Sequence, residues 1–502
     1  MRTLVSTLVA GVSALAVAAP AFAQQPVKQV QDSYYVAAQA ELQEIIARQP
    51  NVRKAKNVIL FVVDGLSIPT ITAARIFEGQ SREIDGESNS LAFEKLLPYV
   101  ALSKTYTHDA QVADSAPTAT AMVSGVKSVN GTIGVTQNIE LNNCASQAGN
   151  EVTTIFELAE QAGLSTGIIS TARITHATPA ATYAKTAGRD WENDTNLTDE
   201  ARANGCKDIA AQLVDWPAGN GFEVILGGGR GNFMTAEQAD PEDQTRTGSR
   251  KDGRDLIADW QAKYNDGAYV WNKEQFDAVD ASSTGHLFGL FERSHMQYEA
   301  DREKDAGGEP SIADMTVKAL DILSKNEEGF VLMVEGGRVD HAHHAGNAYR
   351  ALTDTIAVAE AVKAAYEKVD PQETLIVLTA DHSHVFTIAG YPERGNPILG
   401  VAGTADDGKP YTTLGYQNGP GAKVDEPRAD LTDVDTTDPD FLQQALVPLG
   451  ESETHAGDDV AIFAQGPWAH LFQGVVEQNL IYHVIAHATD LPTKAALASV
   501  SN

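Results

Sequence analysis

Three stretches of continuous apolar sequence end abruptly in acidic residues, and they constrain the fold more than any other feature. Asn57 to Val63 (NVILFVV) runs into Asp64-Gly65, Gly329 to Val334 (GFVLMV) into Glu335, and Thr374 to Thr379 (TLIVLT) into Ala380-Asp381-His382. Short uninterrupted runs rich in β-branched residues are expected of strands buried on both faces. Ser165 to Ser170 (STGIIS) and Glu223 to Leu226 (EVIL), the latter followed by three glycines, belong to the same class. Between these runs lie stretches with helical spacing at 151–162, 253–264, 311–325 and 347–368, and another at 34–48 precedes Pro50. Strands alternating with helices predict an α/β fold, a large and mostly parallel central sheet with helices on both faces. Ligands of such sheets bind beyond the carboxyl ends of the strands.

Two segments depart from this pattern. Residues 386–453 are rich in Gly, Pro, Asp and Thr. The residues Phe386, Tyr391, Tyr411, Leu414, Tyr416 and Phe441 favour an ordered surface subdomain there over a linker. At the other extreme, Arg2, the apolar stretch Leu4 to Ala19 and the small-x-small site Ala21-Phe22-Ala23 read as a secretory signal cleaved before Gln24. The chain is thus expected to divide into a signal peptide (1–23), an N-terminal helical arm (24–56), the first part of the α/β domain (57–385), an inserted subdomain (386–453) and the completion of the domain (454–502).

The leader's apolar stretch is short for a span of about 20 residues, and no later segment reaches that length. The expected mature protein is therefore exported, to the periplasm or the medium, with no membrane span. Disulfides persist there, so Cys144 and Cys206 either pair or remain as buried thiols. Two cysteines cannot build an all-cysteine zinc site. The balance of 68 acidic against 37 basic residues, a formal charge of −31, argues against nucleic acid as a partner.

The chemistry gathers where the strands end. Glu335 opens EGGRVDHAHH, which contributes Asp340, His341, His343 and His344, and His455 lies in ETHAGDD beyond the insertion. Carboxylates placed with imidazoles suit zinc and magnesium. One Asp at a strand end is often a helix cap, but three strands of one sheet ending this way point to a metal centre. If its segment is helical, Asp340 shares a face with His344, four residues on. His341 and His343 do not share that face, which suggests supporting roles. In Asp114-Ser115-Ala116-Pro117, Pro117 suits the first turn of a helix. Ser115 is then either a nucleophile at a helix N-terminus, where a phosphate is favoured, or simply an N-cap.

Taken as a set and in order, VVDGLS, DSAPTATA, TARITHATPAATYAKTAGRDW, EVILGGGR, VEGGRVDHAHHAGN, TADHSH and ETHAGDDV resemble the alkaline phosphatases. The likeness spans roughly residues 55–487 and is nearer to the marine-bacterial and animal enzymes than to the enteric branch. It implies hydrolysis of phosphate monoesters to an alcohol and inorganic phosphate through a phosphoseryl intermediate. It also implies two zinc ions, one magnesium ion, a homodimer and a crown-like insertion.

By the same resemblance, Ser115 is the nucleophile. Asp340, His344 and His455 match the first zinc site, and Asp64, Asp381 and His382 the second. Asp64, Thr178 and Glu335 match a magnesium site, and Arg189 the arginine that grips phosphate. Arg173 lies near the same motif, but the register favours Arg189. Cys144 and Cys206 fall where animal-like enzymes carry a disulfide. His176 and His341 stand where the enteric branch has Asp and Lys, with structural or water-mediated roles.

Phe291-Glu292 resembles part of an animal calcium site, but extra residues at 305–309 break the register, so a solvated acidic loop is expected. A sulfatase is disfavoured because Ala119 stands where its motif requires Arg. A phosphodiesterase would usually show a Thr nucleophile. A secreted phosphate- or zinc-binding protein would need neither Ser115 nor Arg189.

Overall fold

The computed structural model describes residues 27–424 and 426–501. The expected leader, 1–23, lies outside the described residues. The chain divides after Gln49 into two units. In the first, Ser33–Ala47 forms a helix whose start is capped by Asp32, which accepts from the N–H groups of Tyr34 and Tyr35. No residue of this helix is buried.

The second unit is built on a ten-stranded sheet. Its strands in chain order are β1 (Asn57–Val62), β2 (Tyr99–Lys104), β3 (Ser165–Arg173), β4 (Val224–Gly228), β5 (Gly267–Val270), β6 (His286–Leu290), β7 (Phe330–Glu335), β8 (Thr374–Thr379), β9 (Val460–Gln465) and β10 (Gly474–Glu477). The spatial order is β10-β2-β9-β8-β1-β7-β3-β4-β6-β5. All pairings are parallel except those of β9, which runs against both β2 and β8. Every strand expected from the apolar runs is present. The expectation did not include β2, whose residues alternate between exposed and buried, the antiparallel β9, or β5, β6 and β10.

Apolar runs without alternation are the mark of two buried faces, and β1 shows why. Val58, Leu60 and Val62 enter one core, with Met122, Phe156 and Ile485 from helices on that side. Ile59, Phe61 and Val63 enter the other, with Leu320, Leu352 and Val362. The helix Ala348–Lys368 presents Ala348, Leu352, Val358, Ala359, Val362 and Ala365 to this second core at helical spacing. The Asn347 side chain caps it at the start by accepting from Arg350 N–H. Among the described residues no helix is long and apolar enough to cross a membrane.

Within 386–453, Phe386–Ile388, Leu414–Gly419 and Ala445–Pro448 form a separate three-stranded sheet, and Val401–Thr404 pairs with Pro410–Thr412. Cys144 and Cys206 are joined in a disulfide.

Candidate active site and metal centre

β1 lies between β8 and β7, with Val62 paired to Thr379 on one side and Glu335 on the other. The residues just past these strand ends therefore converge. Asp64, Glu335, Asp381 and His382 all have zero exposure. The turn after Asp64 is tight: Gly65 has φ +72°, and a Cβ there would lie 2.4 Å from the His384 ring. Gly65 N–H donates to Asp381 at 3.0 Å, tying β1 to β8 at the site.

Asp340 and His344 do lie on one helix, Arg338–His344. His455 joins them as the chain returns from the insertion, in an antiparallel bridge with His384. His344 Nδ1 faces the Glu453 carbonyl at 2.7 Å and His455 Nδ1 the Ala113 carbonyl at 2.8 Å. A carbonyl only accepts, so each ring carries its proton on Nδ1 and presents a lone pair at Nε2. Those two Nε2 atoms are 3.0 Å apart, and each is 3.3 Å from Asp340 Oδ1. Two lone pairs and a carboxylate oxygen repel at such distances unless a cation sits among them. Ligand atoms around a tetrahedral zinc with bonds of about 2.0–2.1 Å are themselves roughly 3.3 Å apart, so the donors fit zinc.

Asp381, His382, Asp64 and Ser115 form a second group. His382 Nε2 is 3.3 Å from Asp64 Oδ1, 3.3 Å from Asp381 Oδ2 and 3.2 Å from Ser115 Oγ. Ser115 Oγ is also 3.4 Å from Asp64 Oδ1. Ser115 is the first residue of the helix Ser115–Ser124, but the cap is Asp114, which accepts from Ala116 N–H at 2.8 Å. The simple capping alternative for Ser115 therefore does not hold.

The third group, Asp64, Glu335 and Thr178 with His176 beside them, is rich in oxygen. Asp64 Oδ2, Glu335 Oε1 and Thr178 Oγ1 are buried without a partner, as is Asp381 Oδ2. Glu335 Oε2 accepts from the Ser170 hydroxyl. Burial and the charges of Asp381, Asp340 and Glu335 hold the Asp64 carboxyl well above its usual range, and burial pushes Glu335 up to about 8. Buried carboxylates this crowded are tolerable only if neutralised. Oxygen donors of this kind fit a hard divalent cation.

Arg189 donates from Nη1 to Asp114 at 3.0 Å and lies 3.1 Å from His176 Nε2 through Nη2, beside the Ser115 helix. Arg173 is instead held by Glu192 at 2.6 Å. His341 packs near His176, with ring centres 5.4 Å apart. His343 is turned to a structural task, with Thr70 at 3.0 Å and the Tyr416 hydroxyl at 2.8 Å.

Two residues escaped the sequence reading. His384 bridges Asp340 at 2.8 Å and the fully buried Glu453 carboxylate at 2.6 Å. Burial lowers its basicity, but these two bonds outweigh that and raise it to about 9. His384 stands two residues after His382 in TADHSH, which was its available signal. Glu453, two residues before His455, also accepts from Val385 N–H at 2.8 Å. It thus ties the backbone at Val385 and the segment before His455 to the group around Asp340.

The acidic region near Glu292 is more than a local loop. Glu242, Glu292 and Asp305 bring ligand-type oxygens within 4.8 Å of one another. Glu242 comes from a distant segment, positioned by the buried Arg230 at 3.1 Å, so local spacing did not reveal it. Burial raises all three carboxyls.

Comparison with known proteins agrees with this geometry. Residues 55–491 match the alkaline phosphatase family model. The tissue-nonspecific alkaline phosphatase of Rattus norvegicus is 46% identical over 475 residues, covering 92% of this chain and 90% of that protein. The alkaline phosphatase of Gadus morhua is 44% identical over 460 residues, covering 90% and 95%. In structure, the alkaline phosphatase of the Antarctic bacterium TAB5 shares the fold with a TM-score of 0.60 at 23% identity, over 88% of this chain and 99% of that one. The Thermus thermophilus alkaline phosphatase gives 0.63 at 23% identity, over 90% and 97%. A chain that carries this sheet, these converging strand ends and nearly half the residues of such relatives belongs to the alkaline phosphatase family, the enzymes that hydrolyse phosphate monoesters.

Proposed function

We propose that this chain cleaves phosphate monoesters through a phosphoseryl intermediate on Ser115, with two zinc ions and one magnesium ion. The observation that carries the reading is Ser115 Oγ, 3.2 Å from His382 and 3.4 Å from Asp64, on a buried helix start beside Arg189. Asp340, His344 and His455 would hold one zinc, and Asp64, Asp381 and His382 the other. Asp64, Thr178 and Glu335 would hold magnesium. Bound there, the ions supply Lewis-acid stabilisation of charge on the attacking and departing oxygens.

The chain's own groups do the positioning. Ser115 Oγ forms the bond to phosphorus as the ester oxygen leaves with the alcohol. Water then breaks the Oγ–P bond, restoring the serine and releasing inorganic phosphate. Asp114 and His176 fix the Arg189 guanidinium, whose planar fork suits two phosphoryl oxygens. The start of the Ser115–Ser124 helix adds a favourable dipole. His384 and Glu453 set the orientation of Asp340 and His344, as outer hydrogen bonds do at metal sites. Glu242, Glu292 and Asp305 form a separate oxygen site suited to calcium.

We extend the reading to export with removal of 1–23 and to a homodimer. The Cys144–Cys206 disulfide supports an oxidising destination. Phosphatase assay of Ser115→Ala tests the mechanism. Turnover of p-nitrophenyl phosphate should fall by on the order of 10⁴-fold with bound zinc unchanged. Labelled phosphate should be trapped on Ser115 of the wild type after acid quench. A variant that keeps its turnover, or a label on another residue, would remove Ser115 from the reaction.

A further inference from the structure

Cationic and imidazole groups continue outward from Arg189 in a row that, beyond His176, the reaction described above does not use. The contacts run from Arg189 to His176 at 3.1 Å and from His176 to His341 and His295, each with ring centres 5.4 Å apart. His295 and His341 are closer still, at 4.0 Å. Arg173 meets both nitrogens of His295, donating its backbone N–H to Nδ1 at 3.2 Å. Arg338 stands one helical turn before His341. All six residues are half-buried, so each keeps a face toward solvent.

Their charge is unevenly balanced. Arg189 is paired with Asp114, and Arg173 with Glu192. Arg338 forms no ion pair among the described residues. Its guanidinium lies 3.7 Å over the Tyr298 ring, and its buried Nε has no partner. Asp354, the carboxyl that feels this charge, is itself pushed up to about 8 by burial and is largely protonated at neutral pH. An arginine stacked flat on an aromatic ring keeps the edge of its fork free for an anion. Such a group stands out in a chain with 68 acidic and 37 basic residues.

Resting on the reading of Ser115 and Arg189 as the phosphate site, we infer that Arg338, His295 and His341 form a second anion subsite, which receives a further phosphate joined to the scissile one. The site then favours diphosphates over monophosphates of the same alcohol. The leaving group carries its phosphate outward along the row. Arg338 donates from its free edge, and His295 and His341 line the path.

ADP and AMP test this directly, since they differ by one phosphate. Steady-state hydrolysis of both by the metal-loaded wild type is compared with Arg338→Gln, Arg338→Lys and His295→Gln. The KM for ADP should rise about tenfold in Arg338→Gln, the loss expected for one charge-assisted contact, while the KM for AMP stays within about twofold. Arg338→Lys should fall between, because it keeps the charge and loses the fork. His295→Gln should shift the same ratio by a smaller factor. Unchanged AMP turnover shows that the variants fold. An ADP-to-AMP ratio that stays at the wild-type value in both Arg338 variants, or an equal loss on both substrates, overturns the subsite alone. A wild type that hydrolyses neither nucleotide overturns the reading of Ser115 on which it rests.

Discussion

Buried acids occur at both ends of the central sheet, and they are treated in opposite ways. At the amino end, Glu160 and Glu223 share two clamps. Thr166 donates its hydroxyl to Glu160 at 2.6 Å and its N–H to Glu223 at 2.7 Å. Asn220 donates its N–H to Glu160 at 3.2 Å and its side-chain amide to Glu223 at 2.9 Å. All four oxygens are satisfied by the protein. At the carboxyl end, Asp64, Glu335 and Asp381 each leave an oxygen buried and unpartnered. A fold that can satisfy a buried carboxylate with hydrogen bonds leaves one bare only where something else completes it. The contrast separates acids that serve structure from acids that await cations.

The largest expected effect tests the bare end. Removal of metal with a chelator should abolish phosphatase activity and lower stability by about 4 kcal/mol for each ion held at roughly a thousand times its dissociation constant. Full activity after verified metal loss would break the comparison. A smaller effect has opposite signs in two states. Glu335→Gln should cost on the order of 10–100-fold in activity of the loaded enzyme. The same change should stabilise the metal-free protein at neutral pH by roughly 1–2 kcal/mol, because Gln imitates the protonated acid without the cost of taking up a proton. Thermal melts with and without chelator check both signs, and destabilisation in each state would count against a cation at that position.

The satisfied end should show the smallest effect, visible only through pH. Burial, and then the neighbouring Glu223, raise Glu160 from 4.5 to about 8. The folded state therefore holds this proton more tightly than the unfolded state. The associated stability is full below about pH 4.5, declines as pH rises and is gone above about 8. Glu160→Gln imitates the protonated acid. It should change stability little at pH 5 and stabilise by roughly 4 kcal/mol at pH 9, read from denaturant midpoints. A difference that does not vary with pH would mean that Glu160 is ionised in the fold throughout.

The sequence was most informative where physics acts locally. Both faces of β1, β7 and β8 are buried, so their apolar runs were continuous, and the acids after them stood out. Asp340 and His344 could be read because helical spacing places them together. Strand β2 was harder because its burial alternates, and Tyr99, Val100 and Leu102 remain accessible. Glu453, His384 and the Glu242–Glu292–Asp305 group depend on segments that meet only after the chain has folded back. Glu453 reaches His384 across 69 residues, and Glu242 is set by Arg230 in another loop. No periodicity carries such information, and Ser115 could be read as a candidate nucleophile only beside the acidic and imidazole strand ends.

The antiparallel strand β9 has a consequence for the order in which the enzyme comes into being. Because β9 enters the sheet from the carboxyl end of its neighbours, the residues just before it deliver His455 to Asp340 and His344. A ribosome has made nine-tenths of the polypeptide before that imidazole exists. Until then every parallel strand of the central sheet except β10 has been synthesised, yet the group around Asp340 lacks one of its imidazoles. The catalytic centre is thus among the last features the growing chain can complete.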